Sequence, residues 1–263
     1  MAAGGGRVIV PSLRGFGRTR FRRAATLRSG QQASLGHDLL ELLDVLQIEH
    51  AVVGGYDWGG RAACVLAALH PERVIGLVTV GGYNVQNLAA GHQPEPPARE
   101  KAKWYQHYFQ TELGRRGLAQ NREELALLHW RDWSPTWPDV DAAFALSAPS
   151  LHNPDFVDVV VHSYRHRFGS AAGDPAYQQM EDELALQPQI AVPTISLAPD
   201  ADGFVANRPD DDQEMLSGPF RGETLSGVGH NPPQEQAVSF AAAVLRLARL
   251  LPARPAAQDG APV

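Results

Sequence analysis

Apolar positions recur with two different periods along this chain, and the alternation between them sets out its elements. RVIVPSL (7–13), HAVVGGY (50–56) and VIGLVTVGG (74–82) are short apolar runs rich in β-branched residues and flanked by Gly or Pro, which predicts buried strands. Between them SLGHDLLELLDVLQI (34–48) carries apolar residues at helical spacing, with Ser34 as the expected N-cap, and RAACVLAALHP (61–71) predicts a helix ended by Pro71. The same alternation returns near the C-terminus. VPTISLAPDADG (192–203) and GETLSGVGHNPP (222–233) each predict a strand running into a loop, and QAVSFAAAVLRLARLL (236–251) predicts a terminal amphipathic helix. Strand–helix–strand repeats of this kind imply an α/β fold, a mainly parallel sheet with helices on both faces.

The pattern changes near Tyr83. From there to about Gln189 the chain is richer in Trp, Tyr, His and Pro. HQPEPPARE (92–100) reads as a loop, whereas KAKWYQHYFQTEL (101–113), REELALLHWRDW (122–133), NPDFVDVVVHSYRHRF (153–168) and QMEDELALQ (179–187) read as helices. The expected organisation is an α/β core over 1–83 and 190–251, interrupted by a helical insertion over 84–189, with a disordered tail at 252–263.

Composition narrows the class. The 263 residues suit one large domain or a core with an inserted subdomain. A formal net charge of -6 argues against a general nucleic-acid binder. No run of residues is long and apolar enough to span a bilayer, and the first residues lack the hydrophobic centre of a signal peptide. The single cysteine, Cys64, excludes an internal disulfide framework and suits a reducing, cytoplasmic setting; its place in AACVLAAL marks it as a packing residue. The arginine-rich opening, whose first acidic residue is Asp38, also fits a transit peptide, but RVIVP followed by an arginine-bearing loop is the preferred reading.

The most informative segment is AVVGGYDWGGRAACVLAAL (51–69). A buried strand runs through Gly55-Tyr56-Asp57-Trp58-Gly59 directly into a helix. On spacing alone, Asp57 is as consistent with a helix cap as with a nucleophile. The segment resembles the nucleophile elbow of the α/β hydrolases, where small residues permit a strained turn that lifts the nucleophile clear of the sheet. Asp stands here in place of the usual Ser, and no G-x-S-x-G occurs in the chain. A carboxylate gains little by attacking an ester, but it suits displacement at an sp³ carbon that carries a leaving oxygen or halide. The helix start behind it favours its ionised form.

The resemblance extends to the partners, in the order nucleophile, acid, base. His230 in GVGHNPPQE (227–235) stands where the family's water-activating base stands, and Asp202, with Asp200 as its competitor, where the acid that orients it stands. Pro199 replaces a common Gly in that loop. WYQHYFQTE (104–112) and HSYRHRFG (162–169) resemble the two tyrosine motifs of the epoxide hydrolase cap, which places the hydroxyls that would support the opening ring oxygen on Tyr105 and Tyr164. Tyr108, Phe109, Trp130, Trp133 and Trp137 read as packing or pocket wall. SLRGFGRT (12–19) resembles the loop after the family's fourth strand, with Ser12 where Asp is common, and Tyr56 replaces a frequent His.

The resemblance therefore implies an α/β-hydrolase fold with a helical cap, acting on a hydrophobic small molecule and water with no metal or organic cofactor. It also implies chain before RVIVP that would carry three strands and a His-Gly loop, so this sequence reads as N-terminally truncated, with the N–H of Trp58 left as the oxyanion donor. Without the third strand, RVIVPSL and HAVVGGY are expected either to close up or to leave a gap. Two rivals stand beside the epoxide hydrolase: a dehalogenase using the same Asp, His and acid with the Trp58 indole on the halide, and an inactive hydrolase-like domain that binds a ligand or partner.

Overall fold

The computed structural model describes residues 6–204 and 208–249. The tail expected at 252–263 lies outside the described residues. Four strands, β1 (Ala51–Gly55), β2 (Val74–Val80), β3 (Thr194–Pro199) and β4 (Phe220–Leu225), form one parallel sheet in the order β1-β2-β3-β4. The described helices are α1 (Gln32–Val45), α2 (Asp57–Leu69), α3 (Pro97–Ala102), α4 (Trp104–Tyr108), α5 (Glu112–Gln120), α6 (Arg122–Trp133), α7 (Val140–Ser147), α8 (Phe156–Arg167), α9 (Gln178–Ala185), α10 (Pro232–Glu235) and α11 (Ala237–Ala248).

Alternation along the strands fills both faces. Val53, Val74 and Leu77 pack with Cys64, Val65, Leu66 and Leu43 under α1 and α2. Val78, Val80, Ile195 and Leu197 pack with Ala243 and Leu247 of α11 on the other face. Cys64 is fully buried in the first of these clusters, as its apolar surroundings predicted. No helix among the described residues is long and apolar enough to cross a membrane.

Four local expectations are corrected. RVIVPSL forms no strand, and Val8, Ile9 and Val10 are exposed. A strand needs a partner for its backbone groups, and among the described residues β1 pairs with β2 alone, so RVIVPSL does not close up against it. Ser34 is not the N-cap of α1; it lies inside the helix, where its hydroxyl donates to Gln31 O. The early N–H of Ala33 is instead taken by the Glu181 carboxylate of α9 at 3.0 Å, a cap delivered through tertiary structure. KAKWYQHYFQTEL is broken at Lys103 and again before Thr111, whose hydroxyl accepts from Gly114 N and starts α5 afresh. The second half of HQPEPPARE opens α3 at Pro97 rather than staying a loop.

Between β2 and β3 the chain carries α3 to α9 and, among the described residues, no strand. A third cluster joins this stretch to the sheet: Trp58 and Ala62 of α2 meet Tyr105, Phe109, Leu118 and Val157 to Val161 except Asp158, with Tyr164, Phe16 and Trp133 against it. It lies over the C-terminal end of β1, the edge at which open parallel sheets place their ligands.

Candidate active site

β1 ends at Gly55 and α2 begins at Asp57, so the turn between them is made by Tyr56 alone. Asp57 has φ +46°, in the left-handed region that a side chain rarely adopts, at a cost of about 1–3 kcal/mol. Gly55 makes the turn possible: a Cβ there would lie 2.4 Å from the carbonyl carbon of Gly59. Gly59 itself faces open space.

Atoms crowd around the Asp57 carboxylate, yet its side chain keeps 40% of its surface accessible. Burial pushes its pKa up, but His230, Arg61 and Arg167 outweigh this, and the net direction is down. The N–H of Trp58, at the second position of α2, has no intrahelical acceptor.

His230 Nδ1 lies 2.8 Å from Asp202 Oδ2, and His230 Nε2 lies 3.9 Å from Asp57 Oδ2. The first is a hydrogen bond; the second is too long to be one, and Nε2 is buried without a hydrogen-bond partner. Asp202 is also held by Phe204 N, which donates to its Oδ1 at 2.7 Å. Asp200, the competing acid, instead accepts from Gly227 N in an exposed turn. Burial disfavours the imidazolium, but Asp202 and Asp57 together push the His230 pKa up to about 10.

Both loops are braced from α6. Trp133 O accepts from Gly203 N and from His230 N, which ties the acid loop to the base loop. Ser134 Oγ also accepts from His230 N and donates to Glu235 Oε1, and the Glu235 carboxylate accepts from Gly229 N and Asn231 N. Ser134 and Glu235 were missed in the sequence, where a Ser after a helix and a Glu in a C-terminal loop carry no signal. The proximity of Trp133, whose ring lies 4.9 Å from that of His230, was anticipated only as packing or pocket wall.

Tyr105 and Tyr164 come together from α4 and α8, with ring centroids 5.4 Å apart at 89°. Tyr105 is buried, and its hydroxyl accepts from Gln106 Nε2 at 3.0 Å. Tyr164 packs 6.1 Å from the Trp58 ring. Burial, followed by their mutual interaction and the charge of Asp57, raises the Tyr105 pKa well above that of a free phenol. Burial and Asp57 raise Tyr164 too. Both hydroxyls therefore keep their protons at neutral pH and are donors. His129 is wedged against them, 4.5 Å from the Tyr105 ring and stacked 4.7 Å from Trp133. Burial lowers its pKa to about 4, so it is neutral.

The residues assigned from the sequence thus lie together: Asp57, Asp202 and His230 through the imidazole, and Trp58, Tyr164 and Tyr105 through their ring contacts. The arrangement brings an ionised carboxylate, an imidazolium whose Nε2 has no hydrogen-bond partner and two phenolic donors together among aromatic rings.

Comparison with known proteins follows the same line. The profile of the alpha/beta hydrolase fold family matches residues 2–129. A crystal structure from Klebsiella pneumoniae subsp. pneumoniae, provisionally named an epoxide hydrolase, superposes with a TM-score of 0.92 at 42% identity, covering 94% of this chain and 82% of that one. An epoxide hydrolase of Caballeronia sordidicola is 26% identical and is matched over 96% of this chain and 82% of its own length. Epoxide hydrolase A of Mycobacterium tuberculosis (strain H37Rv) is 27% identical, over 93% of this chain and 82% of that protein.

Proposed function

The chain belongs to the epoxide hydrolase-like α/β hydrolases, and from that premise we propose that it converts an epoxide and water to a vicinal diol through an ester on Asp57. An Asp57 oxygen attacks a ring carbon as the C–O bond to the ring oxygen breaks. Tyr105 and Tyr164 hydrogen-bond that oxygen, and one of them supplies its proton. The tyrosine is re-protonated from the His230 imidazolium, which leaves His230 neutral.

The charge balance favours this order. Before reaction, His230 is held as an imidazolium between two carboxylates. Esterification of Asp57 removes one of those negative charges, so the His230 pKa falls and the ring becomes a base. Asp202 keeps Nδ1–H oriented, so Nε2 is the free acceptor. A water placed between Nε2 and the ester gives one proton to His230 while its oxygen adds to Cγ of Asp57. Collapse breaks the ester C–O bond to the substrate. The departing alkoxide takes the remaining water proton, which restores the carboxylate and the imidazolium. The N–H of Trp58 is the donor available to the oxyanion formed at Cγ. Residues 84–189 act as the cap that carries the tyrosines and encloses an apolar small molecule.

The observation that carries this reading is the single imidazole spanning Asp202 at 2.8 Å and Asp57 at 3.9 Å with its Nε2 unpartnered. Its test is to stop the second half-reaction. His230→Gln incubated with an aryl epoxide is expected to gain the mass of one substrate, with the adduct mapped to the peptide that contains Asp57. Diol formation by Asp57→Ala, or an unmodified His230→Gln, would reject the mechanism.

A further inference from the structure

Two arginines meet beside the nucleophile, and the mechanism above uses neither. Arg61 stands one helical turn after Asp57 on α2, a spacing that puts the two side chains on the same face. Arg167 closes α8, three residues after Tyr164. The Gln86 amide, oriented with its oxygen toward them, accepts from Arg61 Nη2 and from Arg167 Nη1, each at 3.2 Å. Gln86 is itself pinned through its backbone, whose N–H donates to Gln32 Oε1 and whose carbonyl accepts from Gln32 Nε2 and Gln187 Nε2.

This is a costly way to place two like charges. Arg14, the other interior arginine, is met by Asp38 at 2.6 Å. Arg61 and Arg167 have no carboxylate within ion-pair distance among the described residues, and Arg61 Nε is buried with no partner at all. The carboxylate acting most strongly on Arg61 is Asp57, whose negative charge the proposed chemistry removes. Both cations also act on the Tyr164 hydroxyl. Arg167 further lines a half-open cleft of about 370 Å³ together with Gln106, the residue that donates to the Tyr105 hydroxyl. The lysine in that cleft is answered, Lys103 by Glu95.

From this juxtaposition we propose that Arg61 and Arg167 form an anion subsite, and that the substrate is an epoxide bearing a carboxylate close to the ring. The proposal rests on the epoxide hydrolase reading and sharpens it: the aromatic wall takes the apolar part, and the guanidiniums take the acid. The acid would arrive against a net negative protein, so its recognition is local. It also returns a negative partner to the arginines when Asp57 becomes a neutral ester.

The test compares 3-phenyloxirane-2-carboxylate with its carboxamide. The expected kcat/KM ratio favours the acid by about 10- to 100-fold, the scale of hydrogen bonds to charged groups. Arg61→Gln and Arg167→Gln should each shrink the ratio, chiefly through the KM of the acid. Gln86→Glu supplies an internal carboxylate between the guanidiniums, so it should raise the melting temperature while abolishing the preference. A ratio at or below one in the native protein, or a ratio that survives all three substitutions, overturns the subsite. Equal losses on acid and amide would make the arginines positioning residues for Asp57 and would overturn it too. Calorimetric binding of 3-phenylpropanoate against 3-phenylpropanamide reads the subsite without turnover. Tighter binding of the acid supports it even if no diol forms, and equal binding overturns it even if diol does.

Discussion

The two sides of the candidate site are built on different principles. On the sheet side, Asp57, Asp202 and His230 each follow the C-terminal end of a strand, and hydrogen bonds hold two of them: Phe204 N donates to Asp202, and His230 N donates to Trp133 O and Ser134 Oγ at the end of α6. On the helical side, Tyr105, Tyr164 and Arg167 sit on α4 and α8 and are held by ring contacts and side-chain amides, Gln106 on the Tyr105 hydroxyl, Gln110 on Tyr164 O and Gln86 between the arginines. Backbone hydrogen bonds at strand ends tolerate almost no displacement. Aromatic contacts at 5–6 Å tolerate more. On the proposed mechanism, the reacting groups are held by hydrogen bonds at strand ends, while the helical side meets the substrate.

The largest effect that tests this contrast lies in the acid loop. Asp202→Asn is expected to lower kcat by about 10³- to 10⁴-fold, because the wrong imidazole tautomer results. Asp200→Asn, two residues away, should cost little activity, since that side chain only braces Gly227 N. Equal losses from both would remove the local basis of the sheet side. Next come the tyrosines. Tyr105→Phe and Tyr164→Phe are each expected to slow single-turnover formation of the Asp57 adduct by about 10²- to 10³-fold. They should leave hydrolysis of a preformed adduct much less affected, because the hydroxyls act on the ring oxygen. Slowing of both steps alike would mean that the tyrosines hold the fold rather than the leaving oxygen.

A smaller effect concerns pH. The folded protein holds the His230 proton more tightly than the unfolded chain does, with a pKa of about 10 against 6.5. This stabilisation is complete below about pH 6.5 and is lost as the pH climbs toward 10. The melting temperature of the native protein should therefore fall across that window. The gap between it and His230→Gln, measured by calorimetry, should narrow as it does. The smallest effect is structural. Glu181→Gln weakens the cap on Ala33 N and is expected to cost about 1 kcal/mol in a denaturant titration. Activity measures whether that loss stays in the packing between α1 and α9.

Much of the molecule was legible in the sequence because its signals are local. Short apolar runs bounded by Gly or Pro mark β2 and β3, since a strand buried on both faces has nothing charged to alternate with. The Gly55-Tyr56-Asp57 turn is legible because a backbone that bends so sharply excludes a Cβ at Gly55, whoever its neighbours are. RVIVPSL misled for the converse reason: its composition suits a strand, but pairing is a property of two segments, and no described strand pairs with it.

By itself the sequence determined the order of elements, the nature of the turn at Asp57 and the types of side chain delivered to strand ends, all of which depend on neighbours within a few residues. Tertiary structure alone decided that Glu181 rather than Ser34 serves the start of α1, that Trp133 O joins the Asp202 and His230 loops, and that Gln86 draws Arg61 and Arg167 together. Those contacts join residues tens to more than a hundred positions apart, and their partners are ordinary Glu, Gln, Arg and main-chain groups. Their meaning comes from desolvation and from proximity, and neither exists until the chain has folded.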